Sequence, residues 1–251
     1  MKIAISSYSL RSHVNRDVPY WELPHYVRDT FGVDAVEIVQ DHISRADADG
    51  IDRLGDGLAA AGVTLVSMPL NVGHISRPDP ARRDRDLRLI QLWIDAAAAL
   101  GCPVVRVNSR DGDLDLAIDG YARLVDYAAP RGVTIAMENH GGFSADRATA
   151  ETILARVPGL ATSPDFGNFK PEERDDFLAA MAPRAAIVHA KTLDFDAAGR
   201  MPAFDFARCV RIVAATGFAG YYSVEFEGKG DQLDGVRRSL ALLREIATGL
   251  G

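Results

Sequence analysis

Acidic side chains and one imidazole recur at equivalent points in the second half of the chain. Glu138, Asp165, His189 and Glu225 each follow a short apolar run, where a buried strand is expected to end. Carboxylates and an imidazole are donors that suit Mn²⁺, Mg²⁺, Co²⁺ or Zn²⁺ rather than a metal that prefers thiolates. If strands bring the four together, burying the carboxylates without a cation would be costly. The sequence therefore predicts a site for one divalent metal ion, with Mn²⁺ the first choice.

Each of these residues also has an ordinary explanation. A single Glu at a strand end is more often a helix cap or a surface charge, and a single His is more often hydrogen-bonded than a ligand. Glu227 competes with Glu225, because the two share one face of a strand. Glu227 leads into the turn 228–230, Gly-Lys-Gly, which favours the rim, so Glu225 is the preferred ligand. That turn is open to two interpretations, a phosphate-binding loop or an ordinary loop.

Further polar side chains stand at the ends of the other predicted strands. Arg106 fits either a site residue or a structural salt bridge. The cysteines, Cys102 and Cys209, lack metal-ligand spacing and are predicted to lie in the core. The remaining strand-end side chains are predicted to bind substrate: Glu37, Asn108, His140 and Lys191.

A repeated sequence pattern must position these residues. An amphipathic helical stretch, a Gly or Pro, an apolar run and a polar cluster follow one another about every 30 residues. Apolar runs rich in β-branched residues indicate strands buried on both faces of a parallel sheet. Eight strands alternate with eight helices in this interpretation. The turn after the first strand has no glycine, which disfavours an open dinucleotide-binding sheet. The predicted fold is an α/β protein, a (β/α)₈ TIM barrel formed as one domain over residues 1–251.

Barrels of this type carry their active sites at the carboxyl ends of the strands, which would bring the polar residues to one mouth. The composition agrees with a globular enzyme: 47% of residues are hydrophobic and the formal charge is −7. The acidic balance argues against a nucleic-acid partner. No apolar run is long enough for a membrane span, and no signal peptide is predicted. Two cysteines suit a reducing cytoplasm. The oligomeric state stays open, and a homo-oligomer is compatible with the sequence.

Five motifs in order resemble those of the sugar phosphate isomerase/epimerase superfamily, the xylose-isomerase-like barrels. The resemblance covers nearly the whole chain. It implies that one divalent metal is held by Glu138, Asp165, His189 and Glu225. In ketose 3-epimerases of this group a substrate-binding His closely follows the strand 6 aspartate, whereas here Phe166-Gly167-Asn168 follows. The motifs are Val36-Glu37-Ile38, Met137-Glu138-Asn139-His140, Ser163-Pro164-Asp165-Phe166, Val188-His189-Ala190-Lys191 and Tyr221-Tyr222-Ser223-Val224-Glu225.

The predicted function is a metal-dependent isomerase or epimerase acting on a sugar, keto-sugar or related polyol. A metal-stabilised enediolate forms, and Glu138 and Glu225 act as the acid–base pair. The alternative is a lyase of the same superfamily, a dehydratase or 3-oxo-glycoside eliminase, because both reactions share the enediolate. A carbohydrate-binding scaffold has no reason to stack carboxylates in the mouth. A DNA repair nuclease is disfavoured by the charge and by only six histidines.

Overall fold

The structure is a computed structural model that describes residues 1–45 and 47–249. Strands and helices alternate along the chain, as the sequence pattern predicts. The strands are β1 (Lys2–Ser6), β2 (Ala35–Glu37), β3 (Thr64–Leu70), β4 (Val104–Val107), β5 (Thr134–Met137), β6 (Ala161–Thr162), β7 (Ile187–Thr192) and β8 (Tyr221–Phe226). The helices are α1 (Leu23–Phe31), α2 (Ala48–Ala61), α3 (Pro80–Ala99), α4 (Leu114–Ala128), α5 (Arg147–Arg156), α6 (Arg174–Met181), α7 (Phe206–Ala214) and α8 (Gln232–Thr248).

The eight strands close into a barrel. Hydrogen-bonded neighbours run in the order β6-β5-β4-β3-β2-β1-β8-β7, and the pairs are parallel. The ring closes between β6 and β7 through isolated bridges, Thr162 with Ala185 and Asp165 with His189. The His189 N–H donates to the Pro164 carbonyl at 3.0 Å, and the Phe166 N–H donates to the His189 carbonyl at 3.2 Å. This closure confirms the predicted TIM barrel over the open sheet.

The inside of the barrel has an apolar lower layer. Small and β-branched side chains from six strands form a separate buried cluster there: Ala4, Ala35, Val66, Val104, Ala136 and Ile187. Two residues further along the same strands stand polar residues, among them Glu37, Glu138 and His189. Because side chains of a strand alternate with a period of two, these polar residues share the inward face with the cluster. The site therefore rests on a packed apolar floor.

The helices cover the outside of the barrel and begin at local capping signals. The carboxylate of Asp79 accepts a hydrogen bond from the Arg82 N–H at 2.9 Å, and Pro80 occupies the first turn of α3. The segment Lys170-Pro171-Glu172-Glu173 has the same kind of sequence and predicts a helix start at Pro171, but this prediction is wrong. Residues 171–173 form a turn, and α6 begins at Arg174 without a side-chain cap from Glu173.

The two cysteines lie in the core, as predicted. Cys102 and Cys209 are free thiols with exposed fractions of 2% and 0%. Burial raises the pKa of each thiol to about 12, since it penalises the thiolate. Among the described helices, none combines the length and the apolar character that a bilayer-spanning segment needs.

Candidate active site

The four predicted metal ligands lie around the carboxyl ends of the last four strands. Glu138 follows β5 directly, Asp165 follows β6 in the segment that closes the barrel, and His189 and Glu225 belong to β7 and β8. All four are buried, and the exposed fractions of Asp165 and His189 are both 0%. The parallel strands thus bring residues that are far apart in the sequence to one end of the barrel.

Three of the four form a compact cluster. One ligand atom each from Glu138, Asp165 and His189 lies within 4.8 Å of the other two. The His189 Nδ1 is 2.8 Å from Glu138 Oε1 and 4.0 Å from Asp165 Oδ2. Glu138 Oε2 and Asp165 Oδ2 are buried and each faces a cation, Arg106 Nε at 3.2 Å and Lys191 Nζ at 2.9 Å respectively. Two carboxylates and an imidazole this close together could also hold a divalent metal ion.

The other ring nitrogen of His189 faces Glu37. The distance from Nε2 to Glu37 Oε2 is 3.0 Å, and the Ser223 hydroxyl donates to Glu37 Oε1 at 3.2 Å. Glu37 is fully buried and does not line the cavity described below. Its predicted role in substrate binding stays a prediction. The contact holds the imidazole in one orientation, with Nδ1 toward Glu138.

Glu225 lies outside the compact cluster and is connected to it by Lys191. The Lys191 Nζ lies 2.9 Å from Asp165 Oδ2, 3.1 Å from Glu225 Oε1 and 3.0 Å from Glu227 Oε2. It also donates to Asn168 Oδ1 at 3.0 Å. An ammonium group therefore neutralises the ends of β6 and β8. Glu227 lies just past the end of β8 and is less buried than Glu225. This position agrees with the prediction that Glu227 lies at the rim of the barrel.

The charges of the cluster respond to one another. Burial and the carboxylates of Glu225 and Glu138 raise the pKa of Asp165 to about 7, although Lys191 opposes the shift. Burial also opposes ionisation of Glu138, but Arg106 and His189 hold the pKa of Glu138 well below its ordinary value. The Arg106 Nε lies 3.2 Å from Glu138 Oε2. Glu138 is thus an ionised carboxylate between two cations.

Asn139 is a site residue that the sequence analysis did not assign a role. Its side-chain NH₂ donates to the Asp165 carbonyl at 3.0 Å, and its side-chain oxygen accepts from the Asp165 N–H at 2.7 Å. The Gly167 N–H donates to Asp165 Oδ1 at 2.7 Å. These contacts leave Oδ2 to face Lys191, whose Nζ lies 2.9 Å away. The sequence signal that could have identified Asn139 is its position between Glu138 and His140, two residues that were assigned to the site.

A cavity of about 660 Å³ opens above the cluster. This volume is typical of small-molecule sites. Three of the four predicted substrate-binding residues line it, namely Asn108, His140 and Lys191, and Asn108 Nδ2 lies 3.1 Å from His140 Nδ1. Arg110 and Tyr8 also line the cavity and were missed. Arg110 follows Asn108 by two residues, a spacing that places both at the same mouth.

The turn after β8 is an ordinary loop rather than a phosphate site. The Lys229 N–H, which a phosphate would use, donates to Asp194 Oδ1 at 2.6 Å. The neighbouring carboxylate would repel an anion. Of the two interpretations of the Gly-Lys-Gly sequence, the contact supports the ordinary one.

The family assignment follows from the sequence match. The model of the xylose isomerase-like TIM barrel family matches residues 26–246, which is most of the chain. This chain belongs to the xylose isomerase-like TIM barrel family. The match extends from α1 to α8 and so includes all the cluster residues.

Several proteins of known structure share this architecture. An L-ribulose 3-epimerase superimposes with a TM-score of 0.82 at 18% identity, over 98% of this chain and 94% of that one. A xylose isomerase-like TIM barrel protein from Mycobacterium smegmatis in complex with magnesium gives a TM-score of 0.75 at 18% identity, over 100% of this chain and 98% of the other. At these identities the likeness shows the fold.

One curated relative is similar over part of its length. The C-glycoside deglycosidase alpha subunit of Arthrobacter globiformis is 36% identical over 85 residues. The match covers 31% of this chain and 23% of that protein. Sugar epimerases and a deglycosidase subunit are therefore among the proteins that this xylose isomerase-like barrel resembles.

Proposed function

We propose that this protein is a divalent-metal-dependent isomerase or epimerase acting on a keto-sugar or a related polyol. The observation that carries the proposal is the buried cluster of Glu138, Asp165 and His189 below a cavity of about 660 Å³. A small-molecule carbohydrate is the substrate, and no nucleic acid or membrane takes part. We place the chain in the cytoplasm as a single domain, and a homo-oligomer is compatible with this function.

The donor set supports a metal at the cluster. Glu138 and Asp165 supply carboxylate oxygens, and His189 supplies Nδ1 because Glu37 engages Nε2. Glu225 is the proposed fourth ligand, with Mn²⁺ the first choice and Mg²⁺, Co²⁺ and Zn²⁺ the others. The magnesium complex of the Mycobacterium smegmatis family member favours a divalent cation. When bound, such a cation polarises a substrate carbonyl and lowers the pKa of the adjacent C–H group.

The proton transfers are assigned to the two glutamates. Glu138 lines the cavity as a carboxylate, and we assign it the proton on the carbon next to the carbonyl. Glu225 stands on β8, separated from β5 by β6 and β7, so it addresses the substrate from another side. Return of the proton to the opposite face of the same carbon gives an epimer. Return to the neighbouring carbon gives an isomer.

The cavity side chains orient the substrate. Asn108 and His140 form a polar pair on the wall above Glu138, suited to sugar hydroxyls. Lys191 presents its ammonium group beside Glu225 and lines the same cavity. A cation at that place stabilises negative charge that develops on a substrate oxygen.

A lyase is the second proposed function. The partial similarity to the C-glycoside deglycosidase alpha subunit favours it. The same carbanion expels a β-substituent if a leaving group is present, and the proton acceptor Glu138 keeps its role. The two reactions differ in whether a C–O or C–C bond to that substituent breaks.

Metal analysis followed by isotope exchange tests the proposal. Purified protein is loaded with Mn²⁺ and incubated in D₂O with a panel of ketoses and 3-oxo-glycosides, and NMR follows deuterium at carbon. Exchange without elimination identifies an isomerase or epimerase, and release of the substituent identifies a lyase. We expect Glu138→Gln to lower the exchange rate at least about 100-fold, and the exposed Glu245→Gln to serve as control. Exchange that persists in Glu138→Gln would remove Glu138 from the base role.

A further inference from the structure

The cavity is divided between acidic and basic walls. Glu138, Glu225 and Glu227 line it on the side of β5 and β8. The loops that follow β3 and β4 supply His74 and Arg110 on another part of the lining. His74 and Arg110 do not belong to the cluster that the proposed reaction uses. This part of the lining therefore needs its own explanation.

Arg110 is a cation without an acidic partner. Of the other two permanent cations in the cavity, Arg106 is paired with Glu138 and Lys191 with three carboxylates. Within the part of the chain that the structure describes, no carboxylate lies within 4.0 Å of the Arg110 guanidinium. One of its NH₂ groups donates to the Asn71 carbonyl at 2.8 Å. The rest of the planar group keeps its donors for a ligand.

His74 lies close to this cation. Its Nδ1 is 3.2 Å from the Ser76 hydroxyl, which leaves Nε2 for another contact. Burial, together with the positive charges of Arg77 and Arg110, lowers the pKa of His74, while Asp86 opposes the shift. Arg77 is itself paired with Asp86 at 2.7 Å. Burial and the neighbouring cations therefore favour the neutral imidazole, and an anion bound beside it would favour the protonated form that donates from Nε2.

The two loops hold this basic wall rigidly. The hydroxyl of the fully buried Ser76 donates to the Ser109 carbonyl at 2.6 Å and lies 3.0 Å from the Asp111 carbonyl oxygen, which ties the loop after β3 to the loop after β4. The Asp113 N–H donates back to the Ser76 carbonyl at 3.1 Å. These contacts hold together the two loops that carry His74 and Arg110.

Arg110 also has an unusual backbone. Its φ of 57° lies in the left-handed region, which is uncommon for a residue with a side chain. Gly142 of the next loop packs so closely that a Cβ there would lie 2.3 Å from the Arg110 carbonyl carbon. Local strain of this kind is found at ligand clamps, where the surrounding structure enforces it. The third charged group of this wall, Asp111, is exposed and makes no ion pair among the described residues.

We propose that His74 and Arg110 form an anion subsite that binds a carboxylate or phosphate monoester of the substrate. This inference rests on the proposed function, because it specifies the substrate as an anionic keto-sugar. A planar guanidinium binds either oxyanion through two parallel N–H groups. The subsite also offsets the repulsion that the acidic wall exerts on such a substrate.

Binding measurements with matched ligands test the subsite. Isothermal titration of the Mn²⁺-loaded protein compares D-fructose, D-fructose 6-phosphate and D-fructuronate. We expect at least one anionic ligand to bind about tenfold or more tightly than D-fructose. The stronger of the two anionic ligands distinguishes phosphate from carboxylate. Equal affinities for all three would overturn the proposal.

Variants assign the effect to the basic wall. We expect Arg110→Gln to weaken binding of the preferred anion about tenfold and to leave D-fructose binding unchanged. His74→Gln is a second variant that does not involve the strained backbone, and Arg85→Gln on the exposed face of α3 is the control. An equal loss for neutral and anionic ligands in both wall variants contradicts an anion subsite.

The outcome is separable from that of the proposed function. Deuterium exchange in D₂O reports the reaction, whereas the titrations report only binding. Anion-selective binding that depends on Arg110, without exchange in any ketose, supports the subsite and contradicts the isomerase. Exchange with ketoses, together with equal affinities for D-fructose and both anionic ligands, supports the isomerase and contradicts the subsite.

Discussion

Glu37 and His189 are joined by a contact of 3.0 Å between Oε2 and Nε2, and neither side chain has any exposure to solvent. The two come from opposite parts of the sequence, β2 and β7, yet share the inward face of the barrel. Burial disfavours the charged form of both residues, but the attraction between them outweighs this effect. His189 lowers the pKa of Glu37, and Glu37 raises the pKa of His189. The pair thus fixes the imidazole with Nδ1 toward Glu138 and Asp165.

Replacing Glu37 should weaken metal binding without removing a ligand. Gln has nearly the same shape as Glu, but its amide forms hydrogen bonds without carrying a charge. In Glu37→Gln the imidazole of His189 is therefore less firmly oriented and less basic. We expect the affinity for Mn²⁺, measured by isothermal titration, to fall about 10- to 100-fold. Glu245→Gln, on the exposed face of α8, is the matched control. An unchanged Mn²⁺ affinity in folded Glu37→Gln protein would show that Glu37 does not support the ligand.

A bound metal should stabilise the fold. Any ligand that binds only the native state adds about 2.7 kcal/mol at a concentration of 100 Kd. For a chain of this size that corresponds to a rise in Tm of roughly 5–10 °C. Differential scanning calorimetry with Mn²⁺ and then with excess EDTA measures the rise and its reversal. Asp165→Asn should lose most of the rise, and the same Tm with and without Mn²⁺ in the native protein would argue against the site.

Lys191 should be essential to the stability of the metal-free protein. Its ammonium group neutralises Asp165, Glu225 and Glu227, so Lys191→Met leaves buried carboxylates without a cation. Removing one partner of a buried ion pair costs about 3–5 kcal/mol. Urea unfolding in EDTA measures this loss, with the exposed Lys170→Met as control. Mn²⁺ should recover part of it, and a free energy of unfolding equal to that of the control would contradict this role.

The cysteine thiols should be unreactive in the native protein. Cys102 and Cys209 are buried, and burial raises the pKa of both to about 12. Because the folded pKa exceeds the unfolded value near 8.5, thiolate formation at pH 8 requires exposure. We expect labelling by a disulfide reagent at pH 8 to follow unfolding, with both thiols reacting in guanidinium. Rapid labelling of either thiol in the folded chain would show local opening.

The fold was predictable because its signal is repeated along the chain. Each apolar run after a helix end indicates a buried parallel strand, and the positive φ of 63° at Gly32 is the helix ending that the pattern implies. The start of α6 was not predictable, because Pro171 is as compatible with a turn as with a first helical turn. Strand β6 has only two residues, Ala161–Thr162, and the sequence pattern does not mark it as shorter than the other strands.

The site was predictable as a set of strand ends and less so as a set of contacts. A period of two identifies which residues face inward, and it placed Glu138 and His189 correctly on the inner face. Depth along the barrel axis is set by the stagger of the strands, which the sequence does not state. The sequence therefore did not indicate that Glu37 contacts His189, or that Lys191 reaches the carboxylates that were assigned to an ion alone.

The closure between β6 and β7 has a consequence for how this molecule changes over evolution. The barrel closes between β6 and β7 through isolated bridges, one of which joins the backbones of Asp165 and His189. The side chains of the same two residues belong to the candidate metal cluster. Architecture and chemistry thus share one short stretch of chain. An insertion near residues 163–166 would break the closure of the barrel and displace Asp165 at the same time. We therefore expect changes in substrate preference to arise in the loops after β3 and β4, which are distant from this closure.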